Sequence, residues 1–309
     1  MQGILSKINQ TINYIYNKAF VKYSLVKKMK IYPGNVKRSR RPYEVGRFIH
    51  HPNATPYFFH VVLKPETLLQ VGVLYKILSA VVGEQVPLLL VKVSTPIQGN
   101  PIRVLLAVHL KGGKQTAERI VKELKNIPGV EEVEYAPPLF DGVALDMWSF
   151  PLTFSGDRAI ILRNILFESM LREGWERLGG SFGALLYCAF FKAGQELYSR
   201  FYSKYKGEGG DPIRLAEELF RLFGYGILEF VKLTDKEAVV RVYDSFECNA
   251  FKGAGEPRGA IVRGLLAGWA AAYWGASRDE ITVKEEKCIA KGDPYCQYHI
   301  RKKGGSFHI

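Results

Sequence analysis

The chain has 309 residues, 47% of them hydrophobic and 24% charged, with four cysteines. That composition excludes a disordered chain, a collagen-like repeat and a small disulfide scaffold. Its length suggests two domains at about 150 residues each. Mean hydropathy is −0.05. The longest apolar run, Gly264–Ala276, has 13 residues, short of the roughly 18 that span a bilayer. Lys7 and Asn9-Gln10-Thr11 interrupt the start, so no secretory signal is read there and the chain is expected in the cytoplasm. The net charge of +13 is uneven: residues 1–47 hold 11 Lys and Arg against the single acid Glu44. The chain is therefore a near-neutral body with a basic arm, and such an arm suits nucleic acid or an anionic membrane surface.

Within the arm, Ile4, Leu5, Ile8, Ile12, Ile15, Tyr16, Ala19, Phe20, Tyr23 and Val26 recur every three or four residues. That period predicts one amphipathic helix over about 3–29, ended by Pro33-Gly34. Lys27, Lys28, Lys30, Lys37, Arg38, Arg40 and Arg41 are the candidate contacts to a polyanion. Docking of the apolar stripe on the chain's own domain or on a dimer partner is the equal alternative.

The next segment, about 56–138, reads strand, helix, strand, strand, helix, strand. The elements are Tyr57–Lys64, Val71–Gly83, Leu88–Val93, Ile102–Leu110, Lys114–Leu124 and Val130–Tyr135. That order is the ferredoxin-like split unit. Val71-Gly72-Val73-Leu74 resembles the signature that opens the first helix of ACT domains. The resemblance implies an effector contact at Gly72; tight packing of helix on strand is the competing role for that glycine.

The region 145–303 reads as α+β. A strand is predicted over Met147–Phe154, and a helix capped by Asp157 over Arg158–Leu178, broken at Gly179-Gly180. Helices follow over Phe182–Tyr205 and from Asp211-Pro212 to Phe223. A hairpin of Ile227–Leu233 and Ala238–Phe246 comes next, then a helix from Glu256-Pro257 to Gly275, then a hairpin of Ile281–Ala290 and Tyr295–Arg301. Ala260, Gly264, Gly268 and Ala272 form a smooth helical stripe that serves core packing or a homodimer seam; a homodimer is the expected assembly.

Three of the four cysteines, Cys248, Cys288 and Cys296, lie in the last 62 residues. Cys288 and Cys296 sit on the two arms of a hairpin turning at Gly292-Asp293-Pro294, which brings them near enough to share a tetrahedral zinc. Glu285 precedes Cys288 by three, so strand alternation puts it on the other face unless a bulge intervenes. Two buried reduced thiols packed as small apolar groups are the alternative. Cys188 lies in the apolar run Leu185–Phe191 and reads as core.

Glu285, Cys288, Gly292, Cys296 and Tyr298, with the upstream Gly183-Ala184-Leu185-Leu186-Tyr187, resemble a 4-vinyl reductase domain over roughly half the chain. The resemblance implies a fold shared with vesicle-tethering subunits and with the sensor domains of phenol-responsive activators. It also implies a structural zinc held by the Glu, the two Cys and a further upstream Cys. That last Cys falls near Gly259 here, a departure for which Cys248 is the substitute and His299 a competitor. It further implies a mostly apolar pocket for a small aromatic or lipid-like ligand, with Trp175, Tyr187, Phe191, Phe230, Trp269 and Tyr273 as candidate walls.

No Walker loop, dinucleotide fingerprint, nucleophile elbow or His-Glu-x-x-His is present. His50, His51 and His60 lack a partner at metal spacing. The expected function is therefore a non-enzymatic, ligand-responsive regulator or signalling adaptor. The alternatives are a reductase-type enzyme on a tetrapyrrole-like substrate and a dimeric scaffold or tether at a membrane.

Overall fold

The structure is a computed structural model and describes residues 42–303 apart from 96, 98, 208 and 209. The basic arm and its seven candidate contacts lie outside the described residues. The described chain forms two compact α+β units, dividing between Ile161 and Leu162.

In the first unit β1 (Phe48–His50) is followed by β2 (Pro56–Leu63), α1 (Val73–Gly83), β3 (Leu88–Val93), β4 (Ile102–His109), α2 (Gly113–Lys125), β5 (Val130–Ala136) and β6 (Val143–Leu145). The strands β3-β4-β2-β5 make one antiparallel sheet, the ferredoxin-like order read from the sequence. Alternation along β2 sends Tyr57, Phe59, Val61 and Leu63 to the helix side, where they pack with Ile77, Val81, Ile120 and Leu124. The other face is covered from within the unit. The β1–β6 ribbon brings Ile49 and Ala144 onto Phe58, Leu105 and Ala107, and Trp148 adds to the same cluster. His60 is buried on this face, stacked on Trp148 at 5.4 Å. Asp146 fastens the ribbon, taking bonds from Arg47 Nε at 2.8 Å and from the Trp148 and Ser149 backbone N–H groups.

The segment after the ribbon departs from the sequence reading. The strand expected over Met147–Phe154 is reduced to β7 (Thr153–Phe154), paired with β8 (Asp157–Arg158). Asp157 is thus a hairpin residue and caps no helix, because the Ser155-Gly156 turn, with φ of 52° and 91°, returns the chain at once. The Asp146 bonds to Trp148 and Ser149 hold the preceding stretch as a loop. Residues 145–161 lie in the first unit.

The second unit opens with α3 (Asn164–Leu178) and α4 (Gly180–Leu197), separated at Gly179, whose φ is 50°. The α4 path runs on through a π turn, Tyr198–Tyr202, rather than as one helix to Tyr205. Next come α5 (Pro212–Leu222), β9 (Ile227–Leu233), β10 (Glu237–Tyr243), a short α6 (Phe246–Asn249), α7 (Ala260–Trp274), β11 (Ile281–Lys287) and β12 (Cys296–Lys302). Asp211 caps α5 by accepting from the N–H groups of Ile213 and Arg214. The sheet runs β11-β12-β10-β9, wholly antiparallel.

The small-residue stripe on α7 is filled from inside the unit. A Cβ on Gly264 would lie 2.5 Å from the Tyr187 carbonyl oxygen, and one on Gly268 would collide with that of Phe191. On α4, Gly194 meets the backbone of Leu265 and Trp269 in turn. The two helices therefore cross at backbone contact, and the stripe is core rather than a dimer seam. No helix among the described residues is long and apolar enough to cross a membrane.

Candidate metal centre and aromatic cluster

Cys248, Glu285, Cys288 and Cys296 converge, with one donor atom from each lying within 4.8 Å of all the others. Each arrives by a different local device. The β10 strand stops at Tyr243, and Ser245 caps α6 by accepting from Cys248 N–H. Cys248 is therefore presented by a helical turn, not by the end of a strand as the sequence suggested. Glu285 and Cys288 share a face because the β11–β12 register shifts between Glu285 and Lys287, leaving Glu286 as the extra residue of a bulge. The chain then turns tightly. Cys288 N–H donates to Asp293 Oδ2 at 2.8 Å, Asp293 N–H returns to the Cys288 carbonyl at 3.1 Å, and Gly292 takes a φ of 111°. Cys296 begins β12, with Ile289 N–H on its sulfur at 3.4 Å.

The three thiols are free and fully buried. The Cys248 and Cys288 sulfurs stand 3.7 Å apart. A disulfide needs about 2.05 Å. Two sulfurs at about 2.3 Å from one tetrahedral zinc fall about 3.8 Å apart. Both Glu285 carboxylate oxygens and the Tyr298 hydroxyl are buried without a hydrogen-bond partner. Unpartnered acceptors facing three thiols fit a cation better than they fit an apolar core. Burial, and then the charge of Cys288, pushes the Glu285 carboxyl up to about 9. Among the thiols the Cys288 sulfur is held low by the S–H groups of Cys248 and then Cys296, while the Cys248 thiol, donating to Cys288, is pushed up. With no cation present, one of these sulfurs already carries the charge.

Gly259, where the family pattern suggested a fourth cysteine, faces the same cluster. A Cβ there would stand 2.7 Å from Glu285 Oε1 and would also run into the Tyr298 hydroxyl. Cys248 reaches the cluster instead. His299 does not compete, since it lies on the opposite face of β12 between Glu237, 2.5 Å from Nε2, and Glu286, 3.3 Å from Nδ1.

Glu247, beside Cys248, is a residue whose role the sequence reading missed. It is fully buried, and its two oxygens accept from the N–H groups of Ile261 at 2.7 Å and Val262 at 2.9 Å. Those are orphan donors of the first turn of α7, which Gly259 cannot cap with a side chain. Burial outweighs these bonds and pushes the Glu247 carboxyl up to about 8. An acid fourteen residues before the N–H it caps leaves no local sequence signal.

The six expected pocket aromatics do not line one pocket. Trp175, on α3, packs edge-on to Phe182 and Phe251 and under the Arg258 guanidinium at 4.2 Å. Tyr187 and Phe191 turn towards Arg263 and Arg278. Phe230, Trp269 and Tyr273 do gather, with ring centres 5.4 and 5.3 Å from Trp269. Tyr198 and Tyr202 from the π turn complete this cluster at 5.0 and 6.0 Å. The register of the π turn, which sequence periodicity does not reveal, is what brings them in. Trp269 Nε1 is buried among these rings with no acceptor. In the first unit Gly72 caps α1 with a φ of 89°, and no atom lies within 4 Å of a Cβ placed there. It serves the backbone turn and not tight packing.

Comparison with known proteins agrees with the cysteine motif. Residues 238–302 match the 4-vinyl reductase domain family. An uncharacterized protein of Methanocaldococcus jannaschii is 24% identical over 136 residues, covering 44% of this chain and 73% of its own. The phenol-responsive sensory domain of the transcription activator PoxR with phenol is 19% identical, covers 52% of this chain and 80% of that one, and superposes with a TM-score of 0.41. The ACT domain from GTP pyrophosphokinase of Chlorobium tepidum is 12% identical over 27% of this chain and 99% of that one, with a TM-score of 0.23.

Proposed function

We propose that this protein is a non-catalytic ligand-binding regulator whose second unit takes one small aromatic molecule at the Trp269 cluster. The observation that carries this reading is the buried Trp269 Nε1, unpartnered among Phe230, Tyr198, Tyr202 and Tyr273. A buried N–H without an acceptor costs about 1–3 kcal/mol, and a ligand oxygen would recover that. The rings supply apolar burial at about 25 cal/mol per Å². A small aromatic alcohol matches both requirements. Binding must favour one arrangement of α4 and α7 over another to act as a signal. The backbone contact between those helices makes such a shift all-or-none rather than gradual.

A zinc ion held by Cys248, Glu285, Cys288 and Cys296 belongs to this reading as a structural part. Four protein donors close a tetrahedral zinc and leave no position for a substrate. The metal would fasten the β11–β12 hairpin to α6, and Glu247, the neighbour of Cys248, would carry that anchorage to the first turn of α7. The test is titration of the zinc-loaded chain with phenol, followed by native mass spectrometry. One phenol per chain, lost in Trp269→Phe, supports the reading; turnover of an added substrate replaces it with an enzyme.

A further inference from the structure

Arginines of the second unit commonly meet a carboxylate. Arg177 pairs with Glu173 at 2.8 Å, Arg200 with Glu196 at 3.6 Å, Arg221 with Glu218 at 3.8 Å and Arg301 with Glu237 at 3.5 Å, and Arg258 pairs with Glu256. Arg263 and Arg278 do not: among the described residues neither has a carboxylate at ion-pair distance. Both instead converge on Tyr187, with guanidinium carbons 5.4 and 5.9 Å from its ring centre. Arg278 also lies 5.9 Å from the Phe191 ring, and its Nη2 points at Cys188 Sγ, 2.8 Å away. A thiol sulfur is a weak acceptor for so strong a donor. Nearby Glu280 is already engaged by Ser277 in a capping box.

Two like charges held over one ring repel each other, and their N–H forks go largely unused. The placement is fixed from separate elements. Arg263 is half-buried on the first turns of α7, Arg278 is exposed in the turn before β11, and Tyr187 comes from α4, whose backbone Gly264 meets directly. Exposed Lys192 lies one helical turn beyond Cys188 on α4, adding a third cation to the same side. An oxyanion bridging the two forks would remove the repulsion and satisfy the donors. A tetrahedral phosphate, with several acceptor oxygens, fits forks arriving from two directions better than a planar carboxylate that one fork can saturate.

We propose that Arg263 and Arg278, backed by Tyr187, form a binding site for a phosphate group, separate from the metal centre and the Trp269 cluster. The phosphate is either a free anion or a lipid headgroup, and the test separates the two. The full zinc-loaded chain is titrated with inorganic phosphate, and separately floated with phosphatidylcholine vesicles with and without phosphatidic acid. Three proteins are compared: the unsubstituted chain, Arg278→Gln, and a chain with Lys37 and Arg38 both changed to Gln, which reports on the basic arm. Arg278 is exposed, so its variant is expected to fold; Arg263→Lys tests the fork while keeping the charge. The expected result is saturable binding of phosphate, or of phosphatidic acid vesicles alone, weakened at least tenfold by Arg278→Gln and by Arg263→Lys and unchanged in the arm variant. Binding by neither probe, or binding lost only in the arm variant, overturns the proposal.

Discussion

Cys248 and Cys288 are forty residues apart in sequence, yet their sulfurs stand 3.7 Å apart in the core of the second unit. The contact joins a helical turn after β10 to the end of β11, and it is the separation that a shared tetrahedral zinc requires. Purified protein is therefore expected to carry one zinc per chain by elemental analysis. Cys288→Ser and Cys248→Ser should each lose most of it, whereas Cys188→Ser should keep it. Equal zinc in all of these proteins would remove the metal from this cluster.

Glu247 supplies a second prediction. Its carboxylate takes the Ile261 and Val262 N–H groups, so Glu247→Ala leaves two buried donors bare. The loss of two such bonds is about 3 kcal/mol or more. Glu247→Gln, which keeps one acceptor oxygen, should cost less. Urea denaturation curves of the three proteins give the ranking; an alanine variant as stable as the parent would mean that α7 is not held this way.

The α4–α7 crossing gives a third. A Cβ on Gly268 collides with the Phe191 carbonyl, whereas Gly72 has open space but a φ of 89°. Gly268→Val should destabilise the second unit by about 1–3 kcal/mol through overpacking. Gly72→Ala should cost about 1 kcal/mol through backbone strain alone. Hydrogen exchange distinguishes them: Gly268→Val should loosen α4 and α7 amides, and Gly72→Ala only α1.

His60 makes the first unit sensitive to acid. Burial is the main influence on it and lowers its pKa from 6.5, against the opposing charge of Glu134 at 3.8 Å. The folded imidazole thus stays neutral where the unfolded one takes a proton. Stability is full above pH 6.5 and declines as pH falls through 6.5 towards the folded-state value. His60→Phe should flatten that decline, read as the pH dependence of exchange protection in β2 and β4. A decline of the same size in the variant would assign it to other groups.

Much of this was legible in the sequence because local patterns carried it. The βαββαβ order followed from period-2 and period-3.6 runs punctuated by Pro and Gly. The cysteine set followed from the hairpin turn at Gly292-Asp293-Pro294, and even the bulge was required by the odd spacing of Glu285 and Cys288. What failed was non-local. Asp146, anchored by Arg47 ninety-nine residues away, turned an expected strand into a loop. The Glu247 cap acts across fourteen residues. The aromatics divided among three places because the α4–α7 crossing, set by Gly194, Gly264 and Gly268, decides which faces meet.

The most direct test of the ligand-binding reading is calorimetric titration of phenol into the zinc-loaded chain, with Trp269→Phe as control. The account predicts saturable one-to-one binding in the parent, with the negative heat-capacity change of apolar burial, weakened about tenfold or more without the indole N–H. Binding unchanged in Trp269→Phe, or no saturable heat at phenol concentrations up to about 10 mM, far above a Kd that useful burial would give, would contradict it.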